Sequence, residues 1–274
     1  MIPLRDDNPC YTTPYVNYAL IGLCVLVFLW QWSLGPQAGA AAIYAFGMIP
    51  DALFGGAQLA PELAVVPPAA TVLTSMFLHG GWLHLLGNML YLWIFGDNVE
   101  DSMGHGRFLV FYLACGVAAA LFHALPEPHS QVPVVGASGA ISGVLGAYAL
   151  LHPRAHVLVL IPLGPFSRLL HLPALLVLGL WFGSQLLSEL LATLQSAEGG
   201  GVAFRAHIGG FVTGLFLIPF FKRERVRLFA LITNVLAKDK DIIDTWRNYP
   251  RPTSARNRAN MVEDEVVDAL ATAV

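Results

Sequence analysis

Six apolar runs divide this chain, and they are almost free of charged side chains. An α-helix needs roughly 20 apolar residues to cross the hydrocarbon core of a bilayer, which is ~30 Å thick. Several of the runs are nearer ~15 residues, which suits helices that begin below the membrane surface in a cavity lined by protein. The pattern predicts an all-α membrane protein with six transmembrane helices, in the segments 16–34, 82–95, 108–125, 137–151, 169–190 and 206–221.

Composition supports a membrane protein and argues against nucleic-acid binding. Only 12% of the 274 residues are charged and 56% are hydrophobic, whereas soluble domains carry about 25% charged residues. The net charge of −3 offers no basic surface to nucleic acid. Three cysteines at unrelated spacings predict neither a disulfide framework nor a metal site. His152 and His156 have the spacing of a zinc pair, but Pro153 intervenes, so a solvated loop is favoured and no cofactor is expected.

The distribution of Lys and Arg predicts the orientation of the helices. Residues 35–81 and 126–136 contain neither, whereas basic side chains occur in the connections on the other side and after the last apolar run. By the positive-inside rule, both termini are cytoplasmic and the plasma (inner) membrane is the expected location. The first run is longer than a signal-peptide core and is expected to stay uncleaved. The chain therefore divides into a cytoplasmic N-terminal segment 1–15, a six-helix domain 16–221 and a cytoplasmic tail 222–274.

Two connections and one aromatic pair have unusual sequences. Residues 35–81 are apolar and rich in Gly, Ala and Pro, which predicts a loop in the membrane interface that packs on the helices. Residues 195–203 contain three consecutive glycines and are expected to form a mobile cap and a gate. Trp181 and Phe182 on the fifth predicted helix are assigned to packing or lipid contact, with gating as the alternative. GDNVED (96–101) is interpreted as a polar turn and helix start.

Polar side chains occur at the same end of three predicted helices. His84 and Asn88 lie near the start of the second, Ser138 near the start of the fourth and His207 near the start of the sixth. These helices all enter from the outer face, so the side chains are expected at similar depth. Polar and ionisable groups inside a membrane are expensive, and this makes them functional candidates. We predict that the imidazole of His207 takes the hydroxyl proton of Ser138 and returns it to a leaving amine.

Glycine pairs explain how the two helices can approach. Gly139 and Gly143 are four residues apart on the fourth predicted helix, and Gly210 and Gly214 on the sixth. Such small-residue ridges let helix backbones come close. Each feature alone also has a structural explanation, because glycine pairs usually serve packing and a membrane serine usually bonds to its own helix. Their joint occurrence at one face favours catalysis.

The second predicted helix offers hydrogen-bond donors to this pair. His84 and Asn88 are four residues apart, so they point along one helical face. The amide of Asn88 and the backbone N–H of Ser138, which is free at a helix N-terminus, can stabilise a developing oxyanion. One such donor is typically worth ~3 kcal/mol. The alternative is a polar clamp between helices.

The motifs HGGWLHLLGNMLYLWIFGDNVED, GASGAISG and AHIGGFVTG, in that order on the second, fourth and sixth predicted helices, resemble the rhomboid intramembrane serine proteases. The resemblance spans the six-helix domain. It implies that Ser138 is the nucleophile and His207 the general base. It also implies an oxyanion site formed by Asn88, His84 and the amide of Ser138, with Gly136 shaping the loop before the serine.

One departure concerns the support of the imidazole. Some members of that family place an aromatic residue four positions after the serine, whereas this chain has Ser142, so ring support must come from elsewhere. The resemblance implies a six-transmembrane-helix rhomboid bundle around a water-filled cavity open to the outside. Its substrates would be membrane proteins, cleaved near the outer interface. The alternatives are a catalytically inactive relative that binds transmembrane clients and a small-molecule transporter, although paired intramembrane charges are not seen.

Overall fold

The computed structural model describes residues 1–163, 166–194 and 204–223. The predicted Gly-rich cap and the tail from residue 224 onward lie outside the described residues. A short 3-10 turn, Ser75–Phe77, precedes the loop that leads into α5. In chain order the elements are β1 (Ile2–Asp6), α1 (Tyr15–Ser33), α2 (Gly35–Phe46), α3 (Pro50–Leu53), α4 (Pro68–Thr74), α5 (Trp82–Met103), α6 (His105–Ala124), α7 (Ser138–Leu151), β2 (His156–Leu163), β3 (Phe166–Pro173), α8 (Ala174–Leu194) and α9 (Phe204–Phe221).

The described protein is mostly helical, and each of the six apolar runs contains one long helix. Four of these helices, α1, α6, α9 and the part of α8 from Ala174 to Leu191, are long and apolar enough to cross a membrane. α5 has 22 residues but carries three carboxylates in its last turns. α7 has only 14 residues, which is about 21 Å at 1.5 Å per residue and shorter than the hydrocarbon core.

α5 extends to Met103 because the carboxylate of Glu100 is paired inside the protein. Glu100 is fully buried, and it accepts hydrogen bonds from the backbone N–H groups of Val16 (3.0 Å) and Asn17 (2.7 Å). These N–H groups begin α1 and have no partner within that helix, where a negative charge is stabilising. Glu100 also lies 2.5 Å from the ring of His105, which begins α6. The sequence interpretation of 96–101 as a turn is therefore wrong.

A three-stranded antiparallel sheet, which the sequence analysis does not predict, precedes α8. β2 is the central strand, and it pairs with β1 on one side and with β3 on the other. Val157 and Val159 of β2 are fully buried and alternate with partly exposed residues, as the two-residue period of a strand requires. The fifth apolar run therefore divides, because residues 166–173 form a strand and the helix begins only at Ala174.

The predicted solvated loop around His152 and His156 is also wrong. His152 follows α7 and is half-buried, with its ring nitrogens 3.0 Å from Asn8 Nδ2 and 3.4 Å from Ser102 Oγ. Burial lowers the pKa of His152. His156 begins β2 and faces Asp7 instead. Within the described part of the chain, no group of three or more His, Cys, Asp or Glu side chains is arranged to hold a metal ion.

α7 lies at the centre of the helices, with α5, α6 and α9 packed around it. Its residues 140–149 are all buried, which the small side chains of this segment permit. The contact with α9 is very close. A Cβ atom added to Gly210 or Gly214 would lie 2.0 Å from the carbonyl oxygen of Gly139 or Gly143, respectively. Only glycine fits at these two positions of α9 without moving the helix.

The glycines of α7 also permit a close contact with a second helix, α6. A Cβ atom on Gly139 would lie 2.6 Å from Cβ of Ala119, and one on Gly143 would lie 2.5 Å from Cβ of Cys115. Both of those residues belong to α6. The two glycine pairs nevertheless meet each other, because the backbone atoms of α7 that Gly210 and Gly214 approach belong to Gly139 and Gly143, and a Cβ atom on Gly143 would also lie 3.2 Å from the carbonyl oxygen of Gly210.

Candidate active site

Ser138 and His207 lie within hydrogen-bond distance of each other. Ser138 is the first residue of α7, and His207 lies in the first turn of α9. The Nε2 atom of His207 is 2.8 Å from Oγ of Ser138. His207 is 9% exposed, so the surrounding protein shields the imidazole from bulk solvent. The close packing of α9 on the backbone of α7 is what permits this short distance.

The second ring nitrogen of His207 contacts a residue that the sequence analysis misses. Nδ1 of His207 lies 2.7 Å from Oε1 of Gln185, which is on α8. The sequence does hold a signal, because Gln185 is an amide inside an apolar run and polar side chains in such runs are functional candidates. It is weaker than the signal of a histidine, since nothing in the sequence indicates the partner of the amide.

Aromatic side chains of α8 and α9 surround the imidazole. The ring of Trp181 lies 6.0 Å from that of His207, centroid to centroid, and Phe204 meets His207 edge-on at 6.5 Å. Phe182 stacks on Phe211 at 4.4 Å. Trp181 therefore contacts the candidate site, whereas the sequence analysis assigns it to packing or lipid. Ser142, at the position that is aromatic in some relatives, donates a hydrogen bond to the carbonyl of Ser138 (2.6 Å).

His84 and Asn88 of α5 face the loop that precedes α7. The backbone N–H of Gly80 donates to Nδ1 of His84 (3.3 Å), so the proton of the neutral ring is on Nε2. Nδ2 of Asn88 is buried and has no hydrogen-bond partner among the described residues. Native proteins pair nearly all such groups. Nε2–H of His84 and Nδ2–H of Asn88 are thus two donors on this face of α5, and neither has a hydrogen-bond acceptor among the described residues.

His84 is supported from behind by a second histidine. The ring of His79 packs against that of His84 at 5.2 Å, and His79 is fully buried. The side chain of Gln31 on α1 donates to the carbonyl of His79 (2.9 Å). Burial, followed by the neighbouring His84, lowers the pKa of His79 to about 4. His79 is therefore a neutral, fixed support.

Gly136 is required for two reasons, its backbone conformation and the lack of space for a side chain. Its φ is +125°, a region that other residues rarely adopt. A Cβ atom here would lie 2.7 Å from Cε1 and Nε2 of His84 and 3.7 Å from Nδ2 of Asn88. The N–H of Gly136 donates to the carbonyl of Ser75 (2.9 Å), which fixes the loop. The space next to Gly136 is thus bordered by the two donors of α5.

Comparison with known proteins identifies the family. The Rhomboid domain model matches residues 68–224, which is more than half of the chain. The chain belongs to the rhomboid family. Together with the apolar helices, this makes it a multi-pass integral membrane protein of mostly helical structure.

The chain matches only part of the length of several curated rhomboid relatives. It is 29% identical over 203 residues to Rhomboid protease GluP of Bacillus subtilis, an alignment that covers 74% of this chain and 34% of that protein. It is 27% identical over 208 residues to Rhomboid protein 1, mitochondrial, of Saccharomyces cerevisiae, with 72% and 51% covered. Presenilin-associated rhomboid-like protein A, mitochondrial, of Danio rerio is 30% identical over 152 residues, with 53% and 36% covered. The alignments thus span about a third to a half of these relatives.

Proposed function

We propose that this rhomboid is an intramembrane serine protease that hydrolyses peptide bonds in or near transmembrane segments of other membrane proteins. The observation that carries the proposal is the 2.8 Å distance between Nε2 of His207 and Oγ of Ser138. Such a pair activates a hydroxyl, because the imidazole accepts its proton as the oxygen attacks. The name of the Bacillus subtilis relative, a rhomboid protease, supports the same activity.

In the proposed reaction, Oγ of Ser138 attacks the scissile carbonyl carbon and its proton passes to Nε2 of His207. The tetrahedral intermediate carries a negative oxygen. It collapses when His207 gives the proton to the leaving amine, and an acyl-enzyme on Ser138 remains. A water molecule, deprotonated by the same imidazole, then hydrolyses the ester and restores the hydroxyl.

Three donors are proposed to bind the negative oxygen. They are Nδ2 of Asn88, Nε2–H of His84 and the backbone N–H of Ser138, which lies in the first turn of α7 and is not used within that helix. Nδ2 of Asn88 has no hydrogen-bond partner among the described residues. This supports the role, because such a donor can bind the negative oxygen, an acceptor that exists only during the reaction. Each donor of this kind is typically worth ~3 kcal/mol.

Six membrane spans, α1, α5, α6, α7, α8 and α9, are proposed around this site. α7 is too short to reach both membrane interfaces, and Ser138 lies at its N-terminus. This supports a site below the membrane surface. With both termini in the cytoplasm, the site opens to the outer face of a plasma (inner) membrane. A substrate helix must unwind there, because its carbonyls are otherwise bonded within the helix, so small and helix-breaking residues are favoured near the cleaved bond.

Labelling with a serine-reactive fluorophosphonate, followed by cleavage of a model transmembrane substrate in detergent, tests the proposal. Wild type should be labelled at Ser138 and should cleave, whereas Ser138→Ala and His207→Ala should do neither. Ser33→Ala and His171→Ala, exposed and outside the site, are matched controls and should behave as wild type. Equal cleavage by Ser138→Ala would exclude this site. A folded wild type without labelling or cleavage would instead identify an inactive rhomboid that binds transmembrane clients.

A further inference from the structure

We infer that Gln185 of α8 is a positioning residue for the proposed hydrolysis, on which this inference rests. Its side-chain oxygen lies 2.7 Å from Nδ1 of His207, and the other ring nitrogen, Nε2, lies 2.8 Å from Oγ of Ser138. A neutral imidazole carries one proton on either nitrogen. Only the form with the proton on Nδ1 leaves Nε2 free to accept the proton of Ser138. An acceptor at Nδ1 selects that form.

The orientation of the Gln185 amide follows from its other contacts. Its nitrogen lies 3.1 Å from Oγ of Ser184 and 3.4 Å from the carbonyl oxygen of Trp181. The hydroxyl of Ser184 itself donates to the carbonyl of Trp181 (2.6 Å), so Oγ of Ser184 is left as an acceptor. A rotated amide would place its oxygen against that carbonyl oxygen. Amide orientation is assigned from such networks, and here the amide oxygen must face the imidazole.

All donors in this network then run in one direction. Ser138 donates to His207, His207 donates to Gln185, and Gln185 donates to Ser184 and Trp181. If any one of these hydrogen bonds were reversed, two donors or two acceptors would face each other at the neighbouring hydrogen bond of the network. The chain of hydrogen bonds therefore favours the tautomer in which His207 can act as a base.

α8 also supplies the aromatic surface that Ser142 does not. Trp181 lies one turn before Gln185, and its ring is 6.0 Å from the imidazole. One turn after Gln185, Glu189 forms an ion pair with Arg205 at the start of α9. Gln185 is thus held by contacts of α8 with α9 on both sides.

Two substitutions of Gln185 separate positioning from packing. Gln185→Met keeps a similar length but offers only a weakly accepting sulfur, and Gln185→Glu keeps an oxygen acceptor but adds a charge. We expect Gln185→Met to lower kcat by on the order of 10- to 100-fold with KM within about twofold, since the orienting partner of a catalytic histidine acts on the chemical step. Gln185→Glu should recover kcat to within about threefold of wild type. A packing role predicts the opposite order.

The experiment measures kcat and KM for a model transmembrane substrate in detergent, together with the rate of fluorophosphonate labelling at Ser138. Gln37→Met, the same change on the exposed face of α2, is the matched control and should leave all three values unchanged. If Gln185→Met equals wild type while Ser138→Ala is inactive, the inference is wrong and the proposed function stands. If Gln185→Glu is no better than Gln185→Met, positioning is also excluded. If Ser138→Ala still cleaves, both fail together.

Discussion

Two buried asparagines on α5 differ in the hydrogen bonds of their side-chain amides. Nδ2 of Asn88 has no partner among the described residues, whereas Nδ2 of Asn98 donates to Asp6 (3.2 Å) and Asp97 (3.0 Å). Because Nδ2 of Asn88 makes no hydrogen bond among the described residues, its removal costs the folded state little stability. Asn88→Ala should therefore keep its thermal midpoint in detergent. Loss of an oxyanion donor should nevertheless lower kcat by on the order of 100-fold.

Asn98→Ala is the matched control for that experiment. It should destabilise the protein by about 1–3 kcal/mol, because its half-buried partners Asp6 and Asp97 lose their hydrogen bonds. Thermal unfolding and initial cleavage rates are measured for both variants. A thermal midpoint of Asn88→Ala that falls in step with its activity would favour the polar clamp between helices over an oxyanion donor.

Gly136→Ala tests the loop before Ser138. The new Cβ would meet the ring of His84 at 2.7 Å, on a backbone with φ of +125°. Backbone strain of this kind is worth about 1–3 kcal/mol, and the displaced imidazole should lower kcat as well. Gly55→Ala also has a positive φ, of +82°, but nothing lies within 4 Å of its Cβ. It should lose stability without losing kcat, and a similar loss of kcat in both variants would contradict the role of the loop.

A pH dependence of stability is expected from Asp6 of β1. Burial raises the pKa of Asp6 to about 6, from 3.8, despite a hydrogen bond from the hydroxyl of Tyr148. The folded state therefore holds this proton more tightly than the unfolded state, so the stabilisation is complete below pH 4 and is lost as pH rises through about 6. Asp6→Asn should remove this contribution, so its thermal midpoint should gain on that of wild type as pH rises from 4 to 7. Its neighbour Asp7→Asn should keep this contribution, and an unchanged pH dependence in Asp6→Asn would assign the effect to another group.

At the scale of elements, the contact between α7 and α9 sets the distance between Ser138 and His207. Gly210→Ala would place a Cβ 2.0 Å from the carbonyl oxygen of Gly139, so α9 must move away. We expect cleavage activity and thermal midpoint to fall together, with the activity reduced at least tenfold because a shift of ~1 Å is enough to misplace a catalytic group.

Gly179→Ala on α8 is the control for this helix contact. No atom lies within 4 Å of the added Cβ, and alanine is the better helix former by about 1 kcal/mol, so the midpoint should stay or rise. Activity and unfolding are measured on both proteins in the same detergent. Retained activity in Gly210→Ala would show that the short Ser138–His207 distance does not depend on this contact.

The sequence predicts the long helices well, because the length of an apolar run can be read directly from the sequence. It does not predict the sheet, since the valines and leucines of β2 and β3 continue directly into the apolar start of α8. It also misplaces the end of α5, because Glu100 looks like a solvated residue until its partners Val16 and Asn17, more than eighty positions away, are known. Local pattern gives the period and the length of an element, but it does not give the tertiary partner that stabilises a charge.

The same distinction applies to the candidate site. Ser138 and His207 are recognisable because each is a rare polar group beside small residues at a helix start. Gln185 is not recognisable in this way, since its significance comes from a single contact with His207 on another helix. The glycines are predicted to permit close packing, but which helix each one contacts depends on how α6, α7 and α9 are arranged.

Across the whole molecule, two polar clusters lie at opposite ends of α7. Ser138 is at its N-terminus, while Tyr148 near its C-terminus donates to Asp6. The two residues are ten positions apart, about 15 Å along a helix, and the segment 139–147 between them is almost entirely apolar. This separation fits a site near one membrane face and a sheet-linked cluster near the other. It leads to a prediction about the orientation of the protein in the membrane.

Cysteine labelling in oriented vesicles tests that orientation. Gln58 lies in the long connection before α5, and Arg154 lies in the connection after α7; both are exposed. Cys24 and Cys115 are buried, so Cys10 is the cysteine to replace with serine as a background. With an impermeant maleimide, Gln58→Cys should react in right-side-out vesicles and Arg154→Cys only in inside-out ones, because basic connections stay in the cytoplasm. A reversed pattern would place the Ser138 end of α7 on the cytoplasmic side, and labelling of both from one side would exclude the six-span arrangement.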